Sequence, residues 1–455
     1  MKIKKIVTGL LVIFILASCA PAVKVVPTET AIPTSTITPI PSITPSPTFT
    51  STPIVYLSGL NHIPVPDSAF IEKVVTENYL KVMGIMREQV NLIYTEHTTI
   101  NDENFVVMLD ETTGVPMAVY TGEWKQATLK FFGKQVGIII GTDVLGYNNV
   151  HSNFAYINQY ETATVETYWL EQQTPNGNDN SELPFQIEWI TSKGIADYTV
   201  HCMIFPGYQP EWLKTGNYSQ DELRNLMKAR IDSVIRNAPN ASIYVVVNEP
   251  YLPPSINPDR AQYDLFYPAW GNSYDYIKEA FQYARESLNK AGRPDAKLMY
   301  NDGDSHYSIG QSSAVSRQIT TMLHKEGLID YVGMQMHIGE WKKGAFDNLM
   351  VTGIPVELEF YKKLGVPVLI TELTYTPSEE ELKLSPEGFN NRLSHVFTTI
   401  FNLAIQSGNV ERITFWSLTD LHLANVSGDY QIFDREGRPK KAFYEILKTL
   451  YEQMP

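Results

Sequence analysis

The chain has 455 residues, 43% hydrophobic and 19% charged, which suits one large buried core with accessories better than several small domains. Its 50 acidic and 36 basic residues give a formal charge of -14, which repels a phosphate backbone; with no basic stripe or arginine cluster to offset it, nucleic acid is not expected as a partner. Two cysteines allow no disulfide framework.

The chain opens with Lys2, Lys4 and Lys5, continues with an apolar stretch over residues 6–16, and reaches Leu16-Ala17-Ser18-Cys19. This is similar to a bacterial lipoprotein signal, which implies cleavage after residue 18 and lipid attachment to Cys19. A plain secretory signal or a short anchor is the alternative. The apolar stretch is short for a spanning helix, and small residues followed directly by Cys favour lipidation. The expected setting is extracytoplasmic, on a bacterial cell surface, with the membrane as a partner through the lipid. Residues 19–55 are almost only Pro, Thr, Ser and small apolar residues, a composition that cannot bury a core. Fully extended at ~3.1 Å per residue, such a tether reaches roughly 100 Å.

Residues 56–125 read as a small α+β extension of unknown role. Asp67 is placed to cap a helix carrying Ile71, Val74, Val75, Val82, Ile85 and Met86. The runs 105–109 and 115–120 flank Glu111-Thr112-Thr113-Gly114 in a hairpin pattern. An independent unit and an embellishment packed on the main domain fit this pattern equally.

From residue 126 to 455, short apolar runs alternate with amphipathic segments. The runs are 136–140, 160–165, 198–205, 243–247, 297–300, 331–336, 366–370 and 413–418. Several helical segments end at a glycine (Gly194, Gly292, Gly327, Gly365, Gly408), and one opens with the capping box Ser219-Gln220-Asp221-Glu222. Eight strand-and-helix repeats predict an α/β fold, a (β/α)8 TIM barrel. An open doubly wound sheet is the alternative, but no phosphate-binding glycine loop accompanies it. Cys202, inside an apolar run, reads as a small buried hydrophobe.

Two carboxylates close such runs. Glu249 follows Ile243-Tyr244-Val245-Val246-Val247-Asn248, and Glu372 follows Val368-Leu369-Ile370-Thr371. Barrel enzymes keep their chemistry at the C-terminal ends of strands, and cleavage of a glycosidic bond needs one acid to protonate the leaving oxygen and a second carboxylate on the other face of the sugar. Asn248 is placed to bond the sugar 2-hydroxyl. Either glutamate alone could cap a helix or pair with a surface cation; two at strand ends, one beside Asn, point to a glycosidase. No H-E-x-x-H, C-x-x-C or nucleophile-elbow pattern is present. No metal and no cofactor are expected.

Tyr244-Val245-Val246-Val247-Asn248-Glu249 and Ile370-Thr371-Glu372-Leu373 resemble the acid/base and nucleophile motifs of clan A glycoside hydrolases. Four further segments resemble family 10 of that clan, the xylanases: Val200 to Phe205, Tyr300-Asn301-Asp302, Val332 to His337, and Thr414 to Asp420. The resemblance spans about Phe131 to Leu450. It implies Glu249 as general acid/base, Glu372 as nucleophile and His337 as the residue that orients Glu372. It further implies sugar contacts from His201, Asn248, Gln335 and Asn301, with Trp416 as the aromatic floor of the cleavage subsite. The expected substrate is β-1,4-xylan or a related polysaccharide, cut by a monomeric retaining endo-enzyme.

Departures from the family pattern affect sugar recognition. Thr164, Val165 and Tyr168 stand where the family carries Glu, Asn and Lys; Phe205, Pro206, Tyr208 and Ala424 replace Trp, His, Gln and Trp; and Thr374 replaces an Asp, which is expected to shorten the chain of hydrogen bonds holding His337. A surface glycan-binding lipoprotein with little turnover and a clan A glucanase or mannanase are the competing readings.

Overall fold

The computed structural model describes residues 55–57, 59–98, 103–144, 154–172, 174, 182–303, 311–339, 352–420 and 430–455. Cys19, the tether up to residue 54 and Ala424 lie outside the described residues.

Tyr56–Pro455 forms one compact unit. The N-terminal segment is therefore an embellishment packed on the main body. Strands β1 (Tyr56–Leu57) and β2 (Leu60–Pro64) pair antiparallel, and two short helices precede a four-stranded antiparallel sheet. That sheet comprises β3 (Leu92–Thr98), β4 (Asn104–Asp110), β5 (Pro116–Tyr120) and β6 (Trp124–Gln126). Asp67 caps the first helix by accepting from the Phe70 N–H at 2.6 Å. The single helix expected through Met86 is instead two, Ser68–Val74 and Glu77–Met83. Thr76 starts the second by accepting from the Tyr79 N–H; a hydroxyl that can cap competes with helix continuation, and a β-branched Val75 before it offers little resistance.

The main body is a closed parallel barrel. Its strands are β7 (Ile139–Asp143), β8 (Thr162–Glu166), β9 (Asp197–His201), β10 (Ile243–Asn248), β11 (Lys297–Asp302), β12 (Tyr331–Met334), β14 (Val368–Thr376) and β15 (Val410–Phe415). A short continuation of β12, β13 (His337–Gly339), pairs with the upper part of β14. Neighbours pair in parallel in chain order, and the ring closes through β15 with β7. Strands such as β10 and β14 are buried along nearly their whole length, as expected when side chains face either the barrel interior or the helix layer. The first strand starts at Ile139 rather than Val136, because Val136 is the C-cap of helix Leu129–Gln135 and Gly137 turns the chain at φ 77°.

The helix layer follows the local code. Ser219 and Glu222 form both halves of the capping box at the start of helix Gln220–Asn237. In helix Asp275–Lys290, Ile277, Ala280, Phe281, Ala284 and Leu288 are buried at helical spacing. Arg230, 1% exposed, reaches from helix Gln220–Asn237 to the Thr167 carbonyl at 2.8 Å and the Cys202 carbonyl at 3.3 Å. It thereby satisfies backbone oxygens just beyond β8 and β9, where the chain leaves the ladder. Cys202 is free and buried.

Candidate active site

The two glutamates occupy the same end of the barrel. Glu249 is the first residue after β10, in the left-handed region at φ 46°, and its N–H donates to the Asn301 carbonyl at 3.1 Å. A non-glycine residue held there is uncommon and costs energy, so surrounding contacts must fix it. Glu372 sits within β14, its N–H donating to the Gln335 carbonyl at 2.9 Å. The ladder registers Asn248 beside Asn301 and Asn301 beside Gly333, which lines up the polar residues of successive strands at one height.

The environments of the two acids differ. The Glu372 side chain is 5% exposed. Its Oε2 lies 2.9 Å from His337 Nε2, and its Oε1 accepts from Asn301 Nδ2 at 2.8 Å, with His201 Nδ1 3.9 Å away. Burial pushes its pKa up, but the His337 bond, the two imidazoles and the Asn301 amide together hold it below the ordinary carboxylate value. Glu372 is thus kept as the anion.

The Glu249 side chain is 26% exposed. Its Oε1 accepts from Gln335 Nε2 at 2.8 Å, and its Oε2 lies 3.1 Å from the Arg260 guanidinium. Burial raises its pKa and outweighs Arg260 and Gln335, while Asp302 and Glu372 act in the same direction as burial. Glu249 therefore retains its proton over a wider pH range than an ordinary glutamic acid. Two carboxyls pushed in opposite directions are the arrangement that separates an acid from a nucleophile.

One chain of hydrogen bonds connects them. Gln335 Nε2 donates to Glu249 and to Asn248 Oδ1 (3.2 Å), and Asn301 Nδ2 donates to Asn248 Oδ1 (2.9 Å) and to Glu372. Asn248 uses its oxygen for both bonds, so its amide nitrogen is the atom suited to a sugar hydroxyl. Gln335 is 2% exposed and sets Glu249 and Asn248 in place. Asn301, expected to touch sugar, is fully buried; Thr371 Oγ1 donates to its Oδ1 at 2.7 Å and its amide holds Glu372. Its side-chain bonds run to Glu372, Asn248 and Thr371. His201 is buried, with its ring 5.3 Å from that of Trp416, which is partly exposed. Burial lowers the His201 pKa and favours the neutral imidazole.

The expected shortening behind His337 is also corrected. Thr374 Oγ1 lies 3.0 Å from His337 Nδ1, so a hydroxyl supplies the link. One β14 residue beyond Leu373 on the same strand, it is in register with His337.

Three neighbours carry no role in the motifs of the sequence. Arg260, on helix Pro258–Tyr263, bridges Glu249 and Asp302. Asp302 is fully buried and also accepts from Tyr300 (2.6 Å) and Ser316 (2.8 Å). Glu166, at the end of β8, is 5% exposed, and burial raises its pKa to about 7. Asp302 and Glu166 shared the strand-end signal that singled out Glu249 and Glu372; Arg260 lies in a connecting segment with no such signal.

The sequence matches the description "Glycosyl hydrolase family 10" over residues 184–449, more than half of the chain. Among its relatives are endo-1,4-beta-xylanase B of Thermotoga neapolitana, 25% identical over 56% of this chain and 69% of that one, and beta-1,4-xylanase of Dictyoglomus thermophilum, 26% identical over 66% and 88%. Endo-1,4-beta-xylanase A of Thermotoga maritima is 27% identical over 63% of this chain but only 27% of its own greater length. The fold is similar to that of xylanase 10B from Thermotoga petrophila RKU-1, solved in complex with xylobiose (TM-score 0.62, 20% identity, 73% of this chain and 100% of that one). With the barrel, the paired acids and the sequence match in agreement, the chain belongs to glycosyl hydrolase family 10.

Proposed function

We propose that the protein is a retaining endo-β-1,4-glycosidase that cuts xylan or a related β-1,4-linked polysaccharide by double displacement. The Glu372 carboxylate attacks the anomeric carbon as the bond to the leaving oxygen breaks, and that oxygen takes the Glu249 proton. Glu249 then removes a proton from water, whose oxygen attacks the same carbon and frees Glu372. The observation that carries this reading is the placement of both carboxyls at one end of the barrel within a single hydrogen-bonded network, Glu249 to Gln335 to Asn248 to Asn301 to Glu372; the opposite directions of their pKa shifts agree with it. His337 and Asn301 hold the nucleophile, and Gln335 aims the acid. Similarity to an endo-1,4-beta-xylanase and a beta-1,4-xylanase favours xylan among β-1,4 glycans.

Reducing-sugar release from a panel of xylan, glucan and mannan tests the proposal. The wild type is expected to favour xylan, Glu372→Ala to be silent, and Glu249→Gln to lose ~10²–10⁴-fold in kcat. Nuclear magnetic resonance of the first product should show retained β configuration. Inverted product, or equal non-zero signals from wild type and Glu372→Ala, would remove the mechanism; no release by either protein would leave a glycan-binding protein.

We further propose that the protein is a monomer and that lipid on Cys19 carries it outside the cell; the basic, apolar and Leu16-Ala17-Ser18-Cys19 segments support the anchor. Mass spectrometry should find a diacylglyceryl group on Cys19, Cys19→Ala should release the protein from membranes, and detergent-solubilised protein should sediment at the mass of one chain. An unmodified Cys19 in membrane fractions would refute the anchor.

A further inference from the structure

Resting on the glycosidase reading, a second feature of the same cleft concerns how more of the glycan is held. Beyond β8 and β9, three aromatic rings lie together. Tyr208 is 4.8 Å from Phe205 at 24° and 5.1 Å from Tyr168 at 34°, and Tyr168 is 6.4 Å from Phe205. They continue a line of rings that starts at the two acids: His337 to Trp416 (6.3 Å), Trp416 to His201 (5.3 Å), His201 to Tyr168 (5.9 Å).

Tyr168 is pinned at its far end. Its hydroxyl donates to Glu166 Oε1 at 2.5 Å, and the Glu166 backbone is in turn clasped by Gln186, which accepts from the N–H at 2.8 Å and donates to the carbonyl at 3.2 Å. Glu166 also stands in register beside His201, so the ring cluster and the cleavage site share one strand pair. The outermost ring, Tyr208, is 47% exposed although it packs on two others. A half-exposed ring on a preorganised aromatic cluster, linked ring by ring through His201 to Trp416, suits the apolar C–H face of a pyranose.

We propose that Tyr168, Phe205 and Tyr208 form a stacking subsite for a pyranose of the same glycan chain beyond the one over Trp416, with Tyr208 as the ring that touches sugar. Stacking reads the ring face and tolerates changes in hydroxyl pattern, whereas polar side chains discriminate among them. This subsite therefore gains affinity from chain length and is permissive about decoration.

The test compares wild type, Tyr208→Ala and Tyr208→Phe in the full chain, using kcat/KM for a β-1,4-xylo-oligosaccharide of six sugars divided by that for an aryl β-xyloside of one sugar. Tyr208→Ala should lower this ratio about tenfold, mainly through KM, and Tyr208→Phe should restore it. An unchanged ratio, or Tyr208→Phe as damaging as Tyr208→Ala, would overturn the stacking role. Thermal unfolding separates either result from misfolding. If the wild type cuts neither substrate, the glycosidase reading has failed, and calorimetry with the six-sugar chain decides the subsite alone: binding that is weakened by Tyr208→Ala supports it, and absent or unaltered binding overturns it.

Discussion

At the residue scale, the site depends on keeping one carboxyl charged and the other protonated, and the groups that do so are identifiable. The acid limb of the pH profile should follow Glu372, held low, and the alkaline limb should follow Glu249, held high. Arg260 lowers the Glu249 pKa and Asp302 raises it. Arg260→Gln should therefore move the alkaline limb of kcat/KM upward by about one pH unit, and Asp302→Asn should move it downward. Profiles that shift together, or not at all, would show that this ion pair does not tune the acid. The positions of Glu249, Glu372, Asn248, His337 and Trp416 were legible because each ends or follows an apolar run and falls within a recognisable motif. What stayed hidden was how amides were shared. Nothing in the order of letters says that Asn301 would spend its nitrogen on Glu372, or that a threonine hydroxyl would stand behind His337, since both depend on register between strands far apart in sequence.

At the element scale, strand pairing determines which side chains can meet. Gly333 on β12 registers beside Asn301 on β11, and a methyl group there would run into the Asn301 carboxamide oxygen and approach Thr371. Gly333→Ala should push Asn301 aside and break its bond to Glu372. Losing a hydrogen bond to a charged group costs ~1.5–3 kcal/mol, so kcat should fall roughly 10- to 100-fold with KM less affected. Because the Asn301 amide helps to hold Glu372 low, the acid limb should also move upward. A variant with normal kcat and an unmoved acid limb would show that Asn301 is dispensable. The eight strands were readable as apolar runs because barrel strands are buried on both faces. Boundaries were less so: the run from Val136 mixes a helix cap with a strand, and apolar letters do not distinguish the two. The split at Thr76 is similar, a choice between capping and continuing that the hydrophobic spacing alone does not record.

At the scale of the whole molecule, the N-terminal sheet and the last barrel helix, Lys441–Glu452, stabilise one another. Tyr79 packs edge-on against Tyr444 at 5.1 Å between ring centres, and His97 meets the Tyr451 hydroxyl at 3.2 Å. Tyr79 is fully buried, and its hydroxyl bonds to Asp110 on β4, joining the short helix, the sheet and the barrel wall. Nothing in this contact includes Glu249 or Glu372, so its effect should be on stability. Burying one large apolar side chain is worth ~1.5–3 kcal/mol, and several are covered together here. Deleting residues 1–54 should leave Tm unchanged, because the compact unit begins at Tyr56. Deleting residues 1–126 should lower Tm by ten degrees or more, at roughly 2–4 °C per kcal/mol for a domain somewhat smaller than this one. The fraction that remains folded should keep the wild-type KM on a short aryl glycoside, because the cleft residues stay in place. A truncated barrel with unchanged Tm would mean that the sheet serves neither folding nor stability, and a folded barrel with a raised KM would mean that the sheet reaches the cleft.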